Sequence, residues 1–496
     1  MLGEPGKRAD LARLLEHDRI TTSVSLVLGL LLAQKIVAFV RGVVFARLLG
    51  TSEYGIYTLG FFLVLIMVAV TSLGIPSSFG RYAPRYQTRR GLRWFFRRAY
   101  VLNIILSLAV GAVMFFFPAF FSRLIYGDPS HSGVMMIVAV CVPGLVLLTN
   151  LMHSFSGLKL FRASSLTQFS QVALFAVAGT ILALGHASAS SALFALALSI
   201  LVTLVLFMPL LGRYLKLEEP AYNSLDEPGF YRRLLRFTIW FTVTPILIQI
   251  FHYVDRLSLQ RMMTSSDQGV YSAAVNLGAT ISAVGLAVNN VIFPHLSTAW
   301  EAGEKERAVS SLEITIRFTA IALTVIGLAL ILLGRPIIMT LLGEAYAEGA
   351  RVLPYIVVFY LLTISVWLFG VYASLVERTY VSTIGLATAL PVNVALNLVL
   401  IPRMGIVGAG LATMLSYVLL WIVVVSVCKA FGMRLKPRTI SASLFPFLLL
   451  LPPLLAACAV VGAAYLCFRT EWIVTRSERR RVFGEVGLFL GRLRKR

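Results

Sequence analysis

Two stretches of this 496-residue chain carry ionisable side chains in apolar surroundings. The first, KIVAFVRGVVFARLLGTSEYGIY (35–57), continues an apolar run that begins near Thr21 and contains Lys35, Arg41 and Arg47. The second, QIFHYVDRLSLQRMMTSSDQGVY (249–271), contains His252, Tyr253, Asp255, Arg256 and Arg261. A cation at the centre of a bilayer costs roughly 2.5–3.5 kcal/mol on insertion scales, so it persists where it faces protein or water. Arg47 lies near a helix end and can snorkel to the interface. Lys35 and Arg41 are too deep for that, and their six-residue spacing sets them about 240° apart on a helix. Such groups can recognise an anion. Arginine grips phosphate oxygens with two parallel charge-assisted hydrogen bonds, and lysine adds a point charge. Asp255 can orient a neighbouring arginine, or carry a coupling proton or sodium ion. A buried ion pair holding helices together is the structural alternative for the same residues.

The elements that position these groups are transmembrane helices. The chain is 58% hydrophobic and 13% charged, with a mean hydropathy of +0.85. Apolar runs of about 20 residues recur, each long enough to cross the hydrocarbon layer, and they lack the alternation of barrel strands. Thirteen segments can be drawn: 21–49, 56–80, 99–121, 133–154, 167–187, 191–212, 234–262, 269–296, 315–334, 352–375, 381–401, 406–428 and 441–468. Residues 1–20 are polar, with Leu11, Leu14 and Leu15 at helical spacing, and read as a cytoplasmic surface helix rather than a cleavable signal peptide.

A cytoplasmic N-terminus leaves four cations in the outside loops, Arg123, Arg335, Arg351 and Arg403. The inside segment 81–98 alone holds seven arginines. The positive-inside rule therefore accounts for the net charge of +22 without nucleic acid. Residues 469–496 form a basic amphipathic tail that belongs inside, which conflicts with thirteen crossings. Either 441–468 folds back at Pro452-Pro453, or a fourteenth segment near Ala456–Val474 crosses, or the positive-inside rule fails at this end. Four cysteines show neither metal-ligand nor disulfide spacing, and neither a metal nor a cofactor is expected. No GxxxxGK[ST] loop is present, so ATP is not expected to drive this chain directly.

The charged stretch is one half of a repeat. Shifted by 214 residues without gaps, 35–57 falls on 249–271, pairing Val40 with Val254, Arg47 with Arg261, Ser52 with Ser266, Gly55 with Gly269 and Tyr57 with Tyr271. Glu53 meets Asp267, and Arg41 meets Asp255. A second echo relates LIYGD (124–128) to LLGE (341–344). Six spans separate the copies, so both cross in the same direction, as in parallel repeats. The expected fold is all-α and polytopic, with about 12–14 transmembrane helices in two pseudo-symmetric six-helix lobes, 21–212 and 234–428, around a central cavity. A cytoplasmic linker (213–233) joins the lobes, and an extra hydrophobic segment (439–468) precedes the tail.

ARLLGTSEYGIY (46–57), YVDRLSLQRMMTSSDQGVYSAA (253–274), LLGEAYAEGARVLP (341–354) and NVALNLVLIPRMGIVGAGLATMLSY (393–417) resemble segments of the polysaccharide flippases of the multidrug/oligosaccharidyl-lipid/polysaccharide exporter superfamily. The resemblance runs from about residue 20 to 430. It implies export of an oligosaccharide on a polyprenyl phosphate or diphosphate from the inner to the outer leaflet of the plasma membrane. Glycosyltransferases or a polymerase of the same pathway are the implied partners. On the residues themselves, Arg41, Lys35 and Arg256 are the candidate headgroup contacts, Arg81 the candidate entry contact, and Asp255 the charge-pairing or coupling group. Arg47, Arg261, His252 and Tyr253 are secondary candidates. A lipid II flippase suits the same cationic set, whereas a cation-coupled drug antiporter would favour buried acids. A membrane glycosyltransferase or polymerase would need catalytic groups on sizeable outer loops, so the chain reads as a transporter and not an enzyme.

Overall fold

The computed structural model describes residues 20–88, 91–217, 229–469, 473 and 475. The expected N-terminal surface helix, most of the basic tail and the centre of the linker lie outside the described residues. Lipid offers the backbone no hydrogen-bonding partner, so the apolar runs satisfy their N–H and C=O groups internally as helices. The helices are α1 (Ile20–Ser72), α2 (Phe79–Thr88), α3 (Leu92–Phe116), α4 (Pro118–Tyr126), α5 (Ser132–Gly157), α6 (Phe161–Gly185), α7 (Ala189–Leu217) and α8 (Phe230–Met262). They continue as α9 (Ser265–Gly278), α10 (Thr280–Glu301), α11 (Lys305–Leu341), α12 (Leu353–Leu375), α13 (Tyr380–Met404), α14 (Ile406–Ala430), α15 (Pro437–Ser443) and α16 (Pro453–Arg469).

Among the described residues ten helices are long and apolar enough to span a membrane, eleven counting α8, which is bent by 46° between Ile239 and Phe241. Pro245 lies inside α8. Its ring clashes with the carbonyl of residue 241, four positions back, which accounts for a bend at that point. The thirteen sequence segments and this helix count differ for two physical reasons. Segments 21–49 and 56–80 run together in α1, whose spanning part, Gly29–Ser72, covers 44 residues. At 1.5 Å per residue that is about 66 Å, twice the hydrocarbon thickness. Gly50, at φ 73° and ψ 173°, divides it into two limbs, a conformation that costs a residue without a Cβ little. Segment 441–468, in turn, is two short pieces, Pro437–Leu450 and Pro453–Cys467.

The main-chain contacts define one compact unit up to Ala273 and a second from Ala274. By this measure α8 belongs with the first unit, whereas the sequence division placed the boundary at 213–233. In the first unit α1 packs on α5, α6 and α8. In the second, α12 is apolar all round and buried along most of its length, as a helix at the centre of its unit must be. Helices α10, α11 and α14 pack around it.

The repeat is visible in local geometry. Gly127 and Gly343, paired by the second sequence echo, both have positive φ, 95° and 107°. Between α5 and α6, Lys159 takes a left-handed conformation (φ 61°), and between α12 and α13 Glu377 does the same (φ 58°). In the first turn the amides of Leu158, Lys159 and Leu160 donate to the carbonyls of Ser154, Ser156 and Phe155. In the second, those of Val376, Glu377 and Arg378 donate to Tyr372, Ser374 and Ala373. Every donor and acceptor is displaced by the same 218 positions.

The C-terminal hairpin is clasped by one turn of α11. The Glu313 carboxylate is buried and accepts from the Lys436 amide at 2.8 Å and the Thr439 hydroxyl at 3.1 Å. The Lys436 ammonium stands 3.7 Å away. Arg317, four residues on and also buried, donates to the Ile473 carbonyl at 2.5 Å. Ile321, Ala442, Phe445, Cys467 and Ile473 form the apolar core beneath. Residues 436 and 473 thus lie beside the same turn, and the chain between them goes out and comes back at Pro452-Pro453. Segment 441–468 therefore folds back at Pro452-Pro453, with Ile473 returning to the side on which the hairpin begins.

Candidate functional site

One arginine from each of the two repeat copies lies against the second limb of α1. Phe61 and Phe62 stand side by side there, their rings 6.1 Å apart and edge to face. Arg41, half-buried on the first limb, places its guanidinium carbon 4.2 Å from the Phe175 ring centroid on α6 and 5.9 Å from that of Phe61. Phe45 meets Tyr57 and Phe175 edge-on at 5.3 and 5.6 Å, completing the aromatic wall. Arg256 on α8 is 2% exposed and sits 4.0 Å over Phe62. Its Nη1 donates to the His252 carbonyl at 2.5 Å. Two arginines from equivalent limbs of the repeat therefore lie on adjacent rings.

Magnitudes show what this arrangement achieves. A desolvated cation–π contact contributes about 2 kcal/mol, against roughly 2.5–3.5 kcal/mol for inserting the cation. The rings offset much of that cost and occupy only the faces of the guanidinium. Hydrogen bonds must come at its edge, and there the buried Nε atoms of Arg41 and Arg256 have no hydrogen-bond partner. A buried donor left unmade costs about 1–3 kcal/mol, so both arginines hold unused capacity for an anionic acceptor.

Asp255, 3% exposed, accepts a hydrogen bond from Tyr271 at 3.1 Å. Tyr253 is buried with its hydroxyl unpaired, and His252 is partly buried against Phe251. Lys35 is not part of this cluster: it is exposed, on a face shared with Leu32, Ile36 and Val40. Arg47 is exposed. Arg261 donates to the Leu124 carbonyl at 2.7 Å, where a cation suits the carbonyl end of α4. Arg81 is exposed on α2, 4.6 Å over the Phe237 ring. Sequence reasoning missed Phe61, Phe62 and Phe175. It also missed Glu313 and Arg317, whose i, i+4 spacing at the edge of an apolar run was a usable signal. Among the described residues no group of three or more His, Cys, Asp or Glu side chains could hold a metal ion.

Beside the cluster the two repeat copies cross in near contact. A Cβ at Gly55 would lie 2.0 Å from the Ser265 carbonyl oxygen, and one at Gly269 would lie 1.9 Å from that of Thr51. Gly55 pairs with Gly269 and Thr51 with Ser265 at the same offset of 214, so the approach is reciprocal. Thr58 and Ser272, paired at that offset too, are bridged by Gln268, whose Nε2 donates to both at 3.2 and 3.0 Å. Their own oxygens are 3.3 Å apart. Ser266 donates to the Thr51 hydroxyl at 2.7 Å.

A duplicated set of apolar helices, ten of them long and apolar enough to span a membrane among the described residues, makes this a polytopic membrane protein. The model of the polysaccharide biosynthesis protein family matches residues 20–300, more than half of the chain, and the chain belongs to that family. Its fold is that of the multidrug/oligosaccharidyl-lipid/polysaccharide exporter superfamily. The structure of the lipid II flippase MurJ in an inward closed conformation superposes with a TM-score of 0.71 at 15% identity, covering 90% of this chain and 99% of that one. An inward-facing multidrug resistance MATE family transporter gives a TM-score of 0.58 at 13% identity, over 81% and 96% of the two chains. In sequence, the membrane protein MJ1068 of Methanocaldococcus jannaschii is 28% identical over 145 residues. That match spans 29% of this chain and 28% of the relative's length.

Proposed function

We propose that this protein is a flippase. Its cargo is an oligosaccharide linked to a polyprenyl phosphate or diphosphate, carried from the inner to the outer leaflet of the plasma membrane for cell-surface glycan synthesis. The observation that carries the reading is Arg41, held in apolar surroundings by Phe175 and Phe61 with a buried Nε lacking an acceptor. The difficult step is moving a phosphate through a low-dielectric layer. Arg41 and Arg256 present guanidinium edges to its oxygens, while the prenyl chain stays among lipid tails. Lys35, on the same limb as Arg41, adds a point charge along the path, and Arg81 makes the first contact on the cytoplasmic side. Asp255, braced by Tyr271, is the group able to exchange a proton or sodium ion and so couple transport to a gradient. The two halves of the repeat, 21–212 and 234–428, alternate access to this path. Glycosyltransferases of the same pathway supply the cargo, and the N-terminus lies in the cytoplasm, as the arginine distribution implies.

The test is transport of a labelled polyprenyl-diphosphate sugar in proteoliposomes, with membrane insertion checked for each variant. Arg41→Ala is expected to slow translocation at least tenfold, since a charged hydrogen bond to phosphate is worth about 1.5–3 kcal/mol. Arg41→Lys, which keeps the charge and loses the fork, is expected to fall between. Transport by Arg41→Ala at the wild-type rate removes Arg41 from the cargo path.

A further inference from the structure

Away from the Arg41 cluster, three helices bring six exposed arginines to one end of the first unit. Each helix contributes an i, i+4 pair: Arg81 and Arg85 on α2, Arg93 and Arg97 on α3, Arg232 and Arg236 on α8. All six belong to one neighbourhood because the helices share an aromatic floor. Tyr82 meets Phe237 at 5.5 Å, Trp94 meets Phe230 at 4.9 Å, and Tyr86 stacks on Phe95 at 4.9 Å. Helix α2 buries Phe79, Ala83 and Tyr86 on one side and turns Arg81, Pro84 and Arg85 outward. Neither 79–98 nor 229–237 contains an acidic residue.

The bland account is topology: cations collect in cytoplasmic segments and need no ligand. That rule counts charges and is indifferent to their spacing. Here the arginines are on helices, in the one spacing where like charges repel most directly, and three times over. Such an arrangement calls for a counter-anion. Arg81 shows the shape of that anion's site. Its guanidinium lies over Phe237, so the ring covers a face and leaves the N–H edge in the plane to meet oxygen. Tyrosine and tryptophan beneath the cations are the residues that settle at headgroup depth.

We propose that this collar, whose Arg81 is shared with the entering cargo, binds the phosphate headgroups of anionic bilayer phospholipids as a bound shell of lipids distinct from that cargo. Charge and extent select that occupant. Six forks on three helices exceed what one diphosphate can engage, whereas several adjacent headgroups match them one to one or two. Clusters of cations at the membrane surface attract anionic lipid for the same reason.

Native mass spectrometry of the purified full chain tests this, with phosphatidylglycerol and phosphatidylcholine titrated in competition. The wild type is expected to retain phosphatidylglycerol at least tenfold over phosphatidylcholine. The variant R85Q/R93Q/R97Q/R232Q/R236Q, which leaves Arg81 in place, is expected to lose most of that preference, while R335Q/R351Q/R403Q keeps it. The five-fold lysine counterpart preserves net charge and hence insertion, and is expected to lose at least threefold. Equal preference in the wild type, or full retention in the glutamine or the lysine variant, overturns the proposal. A polyprenyl phosphate is the third probe. If it displaces phosphatidylglycerol from the wild type at substoichiometric amounts, and the glutamine variant no longer binds it, the collar is a cargo site and the assignment to bilayer lipid is overturned.

Discussion

Alanine at Gly269 would set a methyl carbon 1.9 Å from the Thr51 carbonyl oxygen, and alanine at Gly55 one 2.0 Å from that of Ser265. Carbon and carbonyl oxygen make favourable contacts no closer than about 3.3 Å, so either methyl requires the two segments to part by about 1.3 Å. The obstruction is backbone, which no rotamer change relieves. Overpacking of this kind costs about 1–3 kcal/mol, and the upper figure applies because the separation also stretches the Thr58–Ser272 and Ser266–Thr51 hydrogen bonds. The approach is reciprocal, so one separation accommodates both methyls. The double variant is therefore expected to cost about 3–4 kcal/mol, not the roughly 6 kcal/mol of two independent overpackings. A double-mutant cycle on unfolding by denaturing detergent measures this. Additivity within about 0.5 kcal/mol, or a Gly269→Ala protein as stable as the wild type, refutes the reasoning.

The same crossing predicts that Thr58→Cys with Ser272→Cys, whose oxygens start 3.3 Å apart, forms a disulfide on oxidation and stops transport until reduced. Transport at full rate by the cross-linked protein would show that this crossing stays closed throughout the cycle. At the terminal hairpin, Glu313→Ala leaves the Lys436 amide and the Thr439 hydroxyl without their acceptor, each at about 1–3 kcal/mol. Hydrogen exchange over 436–443 should quicken at least tenfold, with Glu313→Gln recovering part of the protection; unchanged exchange counts against the clasp. In the turn before α5, the Ser130 side chain and amide hold the Asp128 carboxyl below its ordinary value. A carboxylate with a lowered folded pKa stabilises above the unfolded value of about 3.9 and loses that contribution as pH falls through the folded one. The Ser130 amide signal should therefore shift on acidification below about pH 4, and Asp128→Asn should abolish the titration.

The helices and their duplication were legible because both are written in linear order. Apolar length specifies a spanning helix, and an ungapped match at 214 positions pairs Gly55 with Gly269, which the fold brings into contact. The faces were not legible. Phenylalanine in an apolar run reads the same whether it meets lipid or a guanidinium, so Phe61, Phe62 and Phe175 gave no sign. Tyr271 stood out as the repeat partner of Tyr57, but its bond to Asp255 depends on the turn between α8 and α9. Glu313 escaped notice because the segment boundary drawn at 315 left it in a loop, whereas α11 begins at Lys305. The parity of the terminal segment stayed open because two short helices broken by Pro452-Pro453 have the apolar length of one long span.

The repeat offset is not constant along the chain. It is 214 at the glycine crossing, 216 at the turns of Gly127 and Gly343, and 218 at those of Lys159 and Glu377. Twice between these points the second copy is longer by two residues. Two residues inserted inside a helix would rotate everything beyond them by about 200° and turn an inward face outward. The turn geometries survive on both sides of each difference, so the joints between helices are where a two-residue change of length does least harm. A chimaera that exchanges segments between the copies should be cut at those joints, where a change of length leaves the helical faces on either side in place.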